Sequence, residues 1–424
     1  MTKSRTMKAH AIAVIILFAG SLLTTPAAYA QTSGWVAGWA RAMRSEDEPL
    51  QADDITGAVI RTYVPLSAGG TKLRLRFSNR FGRAPLVISG IQIARPDGEA
   101  GQDHIETASA KPVTFGGKLH VTIPAGAYFD SDPVDMRVPG LGRLAVTFHM
   151  PADKDNRTLA AMPKGVTFVA AAGRGDEASL PASRTADRVF QLSAVSVYNA
   201  PQSTDMPVVG TIAILGDSIT DAGGASFDWR GRWTDVLARR LQANPATKRV
   251  GLANLGTSGG RVARDKSGPS ALARLDQDVL SLPDLRTLIV FLGVNDIGMM
   301  PRERVVSAEN RTAVVDEVIE GYRQIIERAH DRGARVMVIP ILPFGGVARS
   351  DYLADAEAQQ ARHTINAWAR ARGHFDGVID LENLMRDPAA PDDLNPQFDR
   401  GDHLHPSANG QEAMGQAIPL DLLH

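Results

Sequence analysis

The sequence predicts two fold textures in series: an all-β sandwich of jelly-roll type, then a three-layer α/β/α domain around a parallel sheet. Three observations carry this reading. Short runs of alternating or β-branched residues fill the first half, separated by Gly- and Pro-rich turns, without a long helical pattern. From Thr211 onward strand-like and helix-like stretches alternate, the rhythm of a doubly wound sheet. Between the halves, Ala200-Pro201-Gln202-Ser203-Thr204-Asp205-Met206-Pro207 has the composition of a linker. The expected division is a leader over residues 1–30, a β-sandwich accessory region over 31–205 and an α/β domain over 206–424.

Length and composition fit that plan. A chain of 424 residues is long for one domain. Its 44% hydrophobic and 22% charged content is ordinary for globular proteins. The formal charge of −1, with no dense basic stripe, excludes nucleic acid as an expected partner. There is no cysteine, so disulfides, a thiol nucleophile and a lipoprotein anchor are excluded, and apolar cores must hold the fold.

The first residues read as a secretory leader. Lys3, Arg5 and Lys8 give the positive segment, Ala11–Leu23 the apolar one, and Ala28-Tyr29-Ala30 a small-x-small cleavage site. The apolar run is shorter than the ~20 residues that cross a bilayer. An uncleaved anchor is the competing reading. The expected mature chain begins at Gln31, is periplasmic or secreted, and has no stable membrane insertion.

Within the β-rich half, strands are expected at Ala58–Val64, Lys72–Ser78, Leu86–Ala94, Lys118–Ile123, Arg143–Met150, Thr167–Ala171 and Phe190–Val197. In Leu73-Arg74-Leu75-Arg76-Phe77 the period of two sends three apolar residues to one face and two arginines to the other. In the second half, strands are expected at Thr211–Leu215, Val250–Asn254, Thr287–Leu292, Arg335–Ile339 and Gly377–Asp380. Helical patterns cover Trp233–Gln242, Ala271–Leu280, Ala313–Arg332, Asp355–Arg372 and Ser407–Ala417, the last with Ser407 as N-cap.

Four stretches at strand ends carry chemistry. Ile212-Ala213-Ile214-Leu215 is a buried-strand run broken by Gly216-Asp217-Ser218, which can hold a serine hydroxyl clear of the sheet. A plain Gly/Asp turn is the alternative. Asn254-Leu255-Gly256-Thr257-Ser258-Gly259-Gly260 is a glycine-rich loop able to aim a backbone N–H into a site, or merely a turn. It lacks the lysine signature of a phosphate cradle. Gly293-Val294-Asn295-Asp296 places a neutral amide past a strand, where it can donate to a developing oxyanion or close an Asx turn. In Asp402-His403-Leu404-His405-Pro406, an Asp and a His three apart share one side of a helical turn, as an oriented general base requires. A metal site from Asp402, His403 and His405, or an N-cap role for Asp402, competes with that reading.

Together these blocks resemble the GDSL, or SGNH, hydrolase family: Gly-Asp-Ser, Asn-(x)4-Gly, Gly-x-Asn-Asp and Asp-x-x-His-Pro, in order from Thr211 to the C-terminus. The resemblance implies Ser218 as nucleophile, His405 as base and Asp402 as its orienting acid. It implies an oxyanion hole from the Ser218 and Gly259 N–H groups and the Asn295 side chain, with Gly256 the alternative to Gly259. Gly260 departs from the Asp or Asn often found there. Trp35–Trp39, Leu75–Gly82 and Leu342-Pro343-Phe344-Gly345-Gly346 are similar to segments of a secreted, two-domain bacterial subset whose N-terminal region is a β sandwich. No metal or organic cofactor is implied. The expected activity is hydrolysis of a small-molecule or polysaccharide carboxylic ester, with acetyl or short-acyl groups favoured, through a Ser-His-Asp triad and an acyl-enzyme. Lysophospholipase or lipase action on lipid esters is the alternative, and an inactive carbohydrate-binding protein the rival from another class. The sandwich is expected to be a separate core that supports the site without supplying catalytic groups.

Overall fold

The computed structural model describes Met1 and residues 34–45, 55–99, 102–152, 158–161, 166–171, 173–199, 210–222, 231–265 and 268–423. The expected leader with its cleavage site, and the 200–207 linker, lie outside the described residues. Thr32–His424 form one compact unit. No described helix is long and apolar enough to cross a membrane.

The first half is two antiparallel sheets and a small third one. One sheet runs Trp35–Ala40, Leu192–Tyr198, Gly70–Ser78, Tyr128–Asp130, with Val134–Val138 also paired to Gly70–Ser78. The second runs Arg184–Ala186, Thr167–Ala170, Val59–Pro65, Arg143–His149, Leu86–Ala94, Lys111–Pro112, with His120–Ile123 also on Leu86–Ala94. Leu73, Leu75 and Phe77 of one face Leu144, Val146 and Phe148 of the other in a common core. The Phe77 and Phe148 rings meet edge to face at 5.2 Å between centroids. The expected run Phe190–Val197 is in fact two strands, Arg188–Phe190 and Leu192–Tyr198, because Gln191 between them is left-handed (φ 53°).

The second half is a five-stranded parallel sheet in the order Val250–Gly256, Gly210–Gly216, Leu285–Phe291, Arg335–Val338, Gly377–Val378. Gly210–Gly216 is buried along its whole length, as its continuous apolar run requires. Eight helices accompany the described strands: α1 Ser218–Asp221, α2 Trp233–Ala243, α3 Ala271–Arg274, α4 Val294–Gly298, α5 Ala308–His330, α6 Ala356–Arg370, α7 Leu381–Met385 and α8 Ala408–Ala417. The pairs α2/α8 and α5/α6 form the outer layers. Ser407 caps α8 by accepting the Gly410 N–H, as expected. The expected helix Ala271–Leu280 changes character midway, from α3 to a π-helical turn over Leu275–Leu280.

The two halves are joined by buried contacts rather than by chain alone. Ala37, Ala40, Ala42 and Ala194 belong to the core of the parallel sheet, not to the sandwich core. The Ala37 N–H donates to Thr211 Oγ1 at 2.9 Å. The Ser67 hydroxyl accepts the Leu252 N–H at 2.8 Å and lies 3.1 Å from the Leu252 carbonyl, on the edge strand of the parallel sheet. Of the two arginines on the polar face of the Leu73–Phe77 strand, Arg74 is partly exposed over the Trp35 ring and Arg76 is buried against the α/β half. Arg76 is 9% exposed, lies over the Tyr128 ring, pairs with Asp130 and donates to Ser281 Oγ at 2.6 Å. Arg80 reaches Asp278 at 3.0 Å. The C-terminal end of this strand, through Arg76 and the following Arg80, therefore meets the α/β half.

At Gly251 the approach is backbone to backbone: a Cβ there would sit 2.3 Å from the Ala37 carbonyl oxygen. Gly251→Ala is expected to destabilise the protein by about 1–3 kcal/mol, through displacement of the Trp35–Ala40 strand. A thermal melt of the variant checks this, and an unchanged Tm would refute the contact.

Candidate active site

The strand order places Gly210–Gly216 and Leu285–Phe291 side by side at the point where connections turn to opposite directions. In open α/β sheets ligands bind in the crevice at the carboxyl ends of such strands. Ser218 follows the first strand and Asn295 follows the second. Both positions come from the sequence, but the element that holds Ser218 does not: it is α1, a single four-residue turn starting at the serine.

A helix so short cannot sustain itself, and its terminal carbonyls need partners. Each finds one. The Ser218 carbonyl accepts the Ala222 N–H at 2.7 Å. The Ile219 carbonyl accepts Gln411 Nε2 at 3.1 Å, the Thr220 carbonyl Asn254 Nδ2 at 2.9 Å, and the Asp221 carbonyl Arg232 Nε at 2.9 Å. At the N-terminus, the Asp217 side chain accepts the Ile219 N–H at 2.9 Å. Gln411 of α8 also accepts the Trp233 N–H at 2.8 Å, so one amide ties the serine turn, α2 and the histidine-bearing segment together. A lone glutamine carries no signal in sequence; only its two backbone partners reveal it.

The Ser218 hydroxyl lies 2.8 Å from His405 Nε2. His405 Nδ1 lies 2.8 Å from Asp402 Oδ2. Asp402 Oδ1 accepts the His405 and Leu404 N–H groups at 2.8 and 3.1 Å. The helical turn expected for Asp402 and His405 is absent: His403 between them is left-handed (φ 59°), and the carboxylate is anchored by the two N–H groups instead. Partial burial acts to raise the Asp402 pKa. It is outweighed by the His405 N–H, by Arg400 and by the His405 ring, which together hold the carboxyl well below its ordinary range. Arg400 Nη2 reaches Asp402 Oδ2 at 2.6 Å, a partner that the Asp-x-x-His-Pro block does not announce.

His403 turns elsewhere. Its Nδ1 pairs with Asp399 at 2.8 Å, and its ring packs on Gly346 of the Leu342–Gly346 segment. Among the described residues no group of three or more His, Cys, Asp or Glu side chains is placed to hold a metal.

On the other side of the crevice, Asn295 is 2% exposed and its Nδ2 donates to the Gly260 carbonyl at 3.2 Å, leaving a second amide hydrogen. The Gly256 N–H is committed to Asn254 Oδ1 at 3.0 Å. Gly259 is left-handed (φ 70°), and its N–H has no acceptor among the described residues. Arg274, 1% exposed, donates to the Leu255 carbonyl at 2.8 Å and the Gly216 carbonyl at 3.2 Å, satisfying the strand ends beneath.

Two buried carboxyls flank these groups. Burial raises Asp217 to about 7; the Ile219 N–H opposes the shift, and the Asp296 and Asp221 charges add to it. Burial likewise raises Asp296 to about 7, against the Val262 N–H, which donates to both its oxygens, and against Arg261. The folded-state value of Asp296 lies above its ordinary 3.8, so folding favours the protonated form. That contribution is complete below about pH 4 and is lost as pH rises through about 7. Asn at 296 never ionises. The Tm of Asp296→Asn relative to the parent is therefore expected to rise between pH 5 and pH 8, measured by calorimetry across that range. A constant difference would show that Asp296 is not buried as described.

Residues 214–413 match the GDSL-like lipase/acylhydrolase family model. No curated protein matches the chain at a significant level. Solved structures similar to it include an acetyl xylan esterase, 20% identical over 49% of this chain and 96% of the other, with a TM-score of 0.37. Others are a GDSL-like lipase from Bacteroides thetaiotaomicron (19%, 50% and 87%, TM-score 0.37) and an acetylxylan esterase from Geobacillus stearothermophilus (16%, 52% and 96%, TM-score 0.38).

Proposed function

We propose, from the match of residues 214–413 to the GDSL-like lipase/acylhydrolase family, that this chain is an exported serine esterase acting on acetyl or short-acyl carboxylic esters. The observation that carries the proposal is the continuous relay from the Ser218 hydroxyl through the His405 ring to Asp402, with both hydrogen bonds at 2.8 Å. A chain that had lost activity has no reason to keep this geometry, which speaks against the rival of an inactive carbohydrate-binding protein.

Each residue then has a task. His405 Nε2 takes the Ser218 proton as Oγ bonds to the ester carbonyl carbon. His405 keeps its Nδ1–H and donates it to Asp402, whose depressed pKa keeps the carboxylate anionic beside the imidazolium. The tetrahedral oxyanion is held by the Ser218 and Gly259 N–H groups and the free hydrogen of Asn295 Nδ2. Gly259 is preferred to Gly256, whose N–H is already bonded. The tetrahedral species collapses, the carbon–alkoxy bond breaks, and His405 returns the proton to the leaving alcohol. Water, deprotonated by His405, then attacks the acyl carbon; the second tetrahedral species collapses with cleavage of the acyl–Oγ bond, and His405 returns the proton to Ser218 Oγ as the acid leaves. Residues 31–205 are proposed as the accessory region and 206–424 as the hydrolase.

Ser218→Ala is expected to abolish hydrolysis, and a fluorophosphonate to label Ser218 alone. Asn295→Ala is expected to cost about 10²–10³ in kcat. His405→Ala is expected to lose far more rate than His403→Ala, and EDTA to leave the rate unchanged; loss on chelation with recovery on zinc would favour a metal enzyme. A p-nitrophenyl ester series from acetyl to palmitoyl, run beside acetylated xylan and pectin, separates the short-acyl reading from the lipid one. Preference for the long chains would overturn it.

Export is part of the same proposal, resting on the Lys3/Arg5/Lys8, Ala11–Leu23 and Ala28-Tyr29-Ala30 pattern. Intact mass of protein recovered from outside the cytoplasm is expected to begin at Gln31. Full-length chain retained in the cytoplasm would contradict it.

A further inference from the structure

We infer that Arg41, in the β-rich half, is a positioning residue for the nucleophile turn, so that the β-rich half is part of the catalytic unit. This rests on the assignment of Ser218 as nucleophile.

The four-residue helix α1 is fixed by polar groups from outside it, and those on its carbonyls come from residues 222–411. Its last side chain is fixed differently. Asp221 is 6% exposed, and its carboxylate forms an ion pair with Arg41 Nη2, which comes from 180 residues earlier. Arg41 is itself 5% exposed. A buried carboxylate one turn after Ser218 must keep a cation close, since an uncompensated charge in that place is strongly unfavourable.

The arginine is held as firmly as its partner. It directly follows the Trp35–Ala40 strand, and its N–H donates to the Ser193 carbonyl at 3.0 Å. That strand is pinned to the catalytic strands through the Ala37 bond to Thr211 and the close passage of Ala37 over Gly251. Other charges surround the pair. Arg232 bonds the Asp221 carbonyl and faces Asp235, while Arg274 pairs with Asp278, which also takes Arg80. Burial lowers the pKa of both Arg232 and Arg274, and the charge of Arg41 adds to this in each. Arg232 and Asp235 meet across the start of α2, and Arg274 lies beneath the strand ends. Arg232 also feels the Asp221 charge, but among the described residues the ion pair to the Asp221 carboxylate is made by Arg41, and this pair couples the sandwich to the serine turn.

A positioning role predicts a loss in turnover rather than in binding, because a small displacement of a nucleophile costs attack geometry. Arg41→Ala is expected to lower kcat on p-nitrophenyl acetate by about tenfold or more with KM within about twofold. The rate of fluorophosphonate labelling at Ser218 is expected to fall in parallel. Guanidinium ion at millimolar concentration is expected to restore part of the Arg41→Ala rate, and Arg41→Lys to lie between Ala and the parent. The double variant Arg41→Ala/Asp221→Ala removes the stranded carboxylate, so its Tm is expected to recover while kcat stays low. It also supplies a folded protein if Arg41→Ala alone does not fold.

Two results overturn the inference: a folded Arg41→Ala with kcat within twofold of the parent, or a double variant in which kcat returns together with Tm. The failure of the underlying assignment looks different. If the parent protein is not labelled at Ser218, the nucleophile is wrong. If the parent is labelled and the Arg41 variants react at the same rate, only the positioning role is wrong.

Discussion

The hydrogen bond between Ser218 Oγ and His405 Nε2 joins two segments 187 residues apart, and the rest of the α/β half can be read as what holds that bond at 2.8 Å. Neither end is stiff by itself. The serine stands on one turn of helix, and the histidine on a loop that passes through a left-handed residue before α8. The stiffness comes from side chains that bond backbone: Gln411, Asn254 and Arg232 on the serine turn, and Asp402 on the histidine loop. Buried polar networks of this kind specify one arrangement when fully satisfied. Gln411 matters most here because it sits just after the histidine loop yet bonds the serine turn, setting both ends from one residue.

Much of this was legible in the sequence, and the boundary between what was and was not is physical. Parallel strands buried on both faces write themselves as unbroken apolar runs, so Gly210–Gly216 and its neighbours were visible. The residues at the strand ends were visible for the same reason, since chemistry in such a fold is placed there. What stayed hidden depends on partners remote in the chain. Arg76 reads as a solvent-facing arginine because period-two patterning describes one sheet face and knows nothing of what covers the other. Gln411 and Arg400 belong to no pattern at all. The Asp402–His405 spacing suggested a helical turn, whereas the backbone satisfies the carboxylate through a looped path around His403. Leu73, Phe77 and Phe148 share a core within the β-rich half, whereas Ala37, Ala40 and Ala194 pack into the core of the parallel sheet, which no pattern in their own strands announces.

The electrostatics follow from the same architecture. Packing the ends of three strands and two short helices together buries Asp217, Asp221 and Asp296 near Ser218. The fold treats them unequally. Asp221 receives a guanidinium, whereas Asp217 and Asp296 receive mainly backbone N–H groups and are pushed towards neutrality. Asp402, less buried and bonded to Arg400 and His405, is driven the other way. The carboxylate paired with His405 is thus the one closest to solvent, and the neutral-leaning ones serve as rigid acceptors behind it.

The Val250–Gly256 strand forms one edge of the parallel sheet, and the opposite edge is the two-residue Gly377–Val378. A seven-residue edge strand is a template for pairing with another chain unless its outward groups are met, and here the Val250 N–H donates to the Thr247 carbonyl and the Gly256 N–H to the Asn254 side chain. Ser67 accepts the Leu252 N–H, and Ala37 presses on Gly251, so the β-rich half works as a stopper over that template. Self-association, rather than a smaller soluble enzyme, is what its removal would uncover.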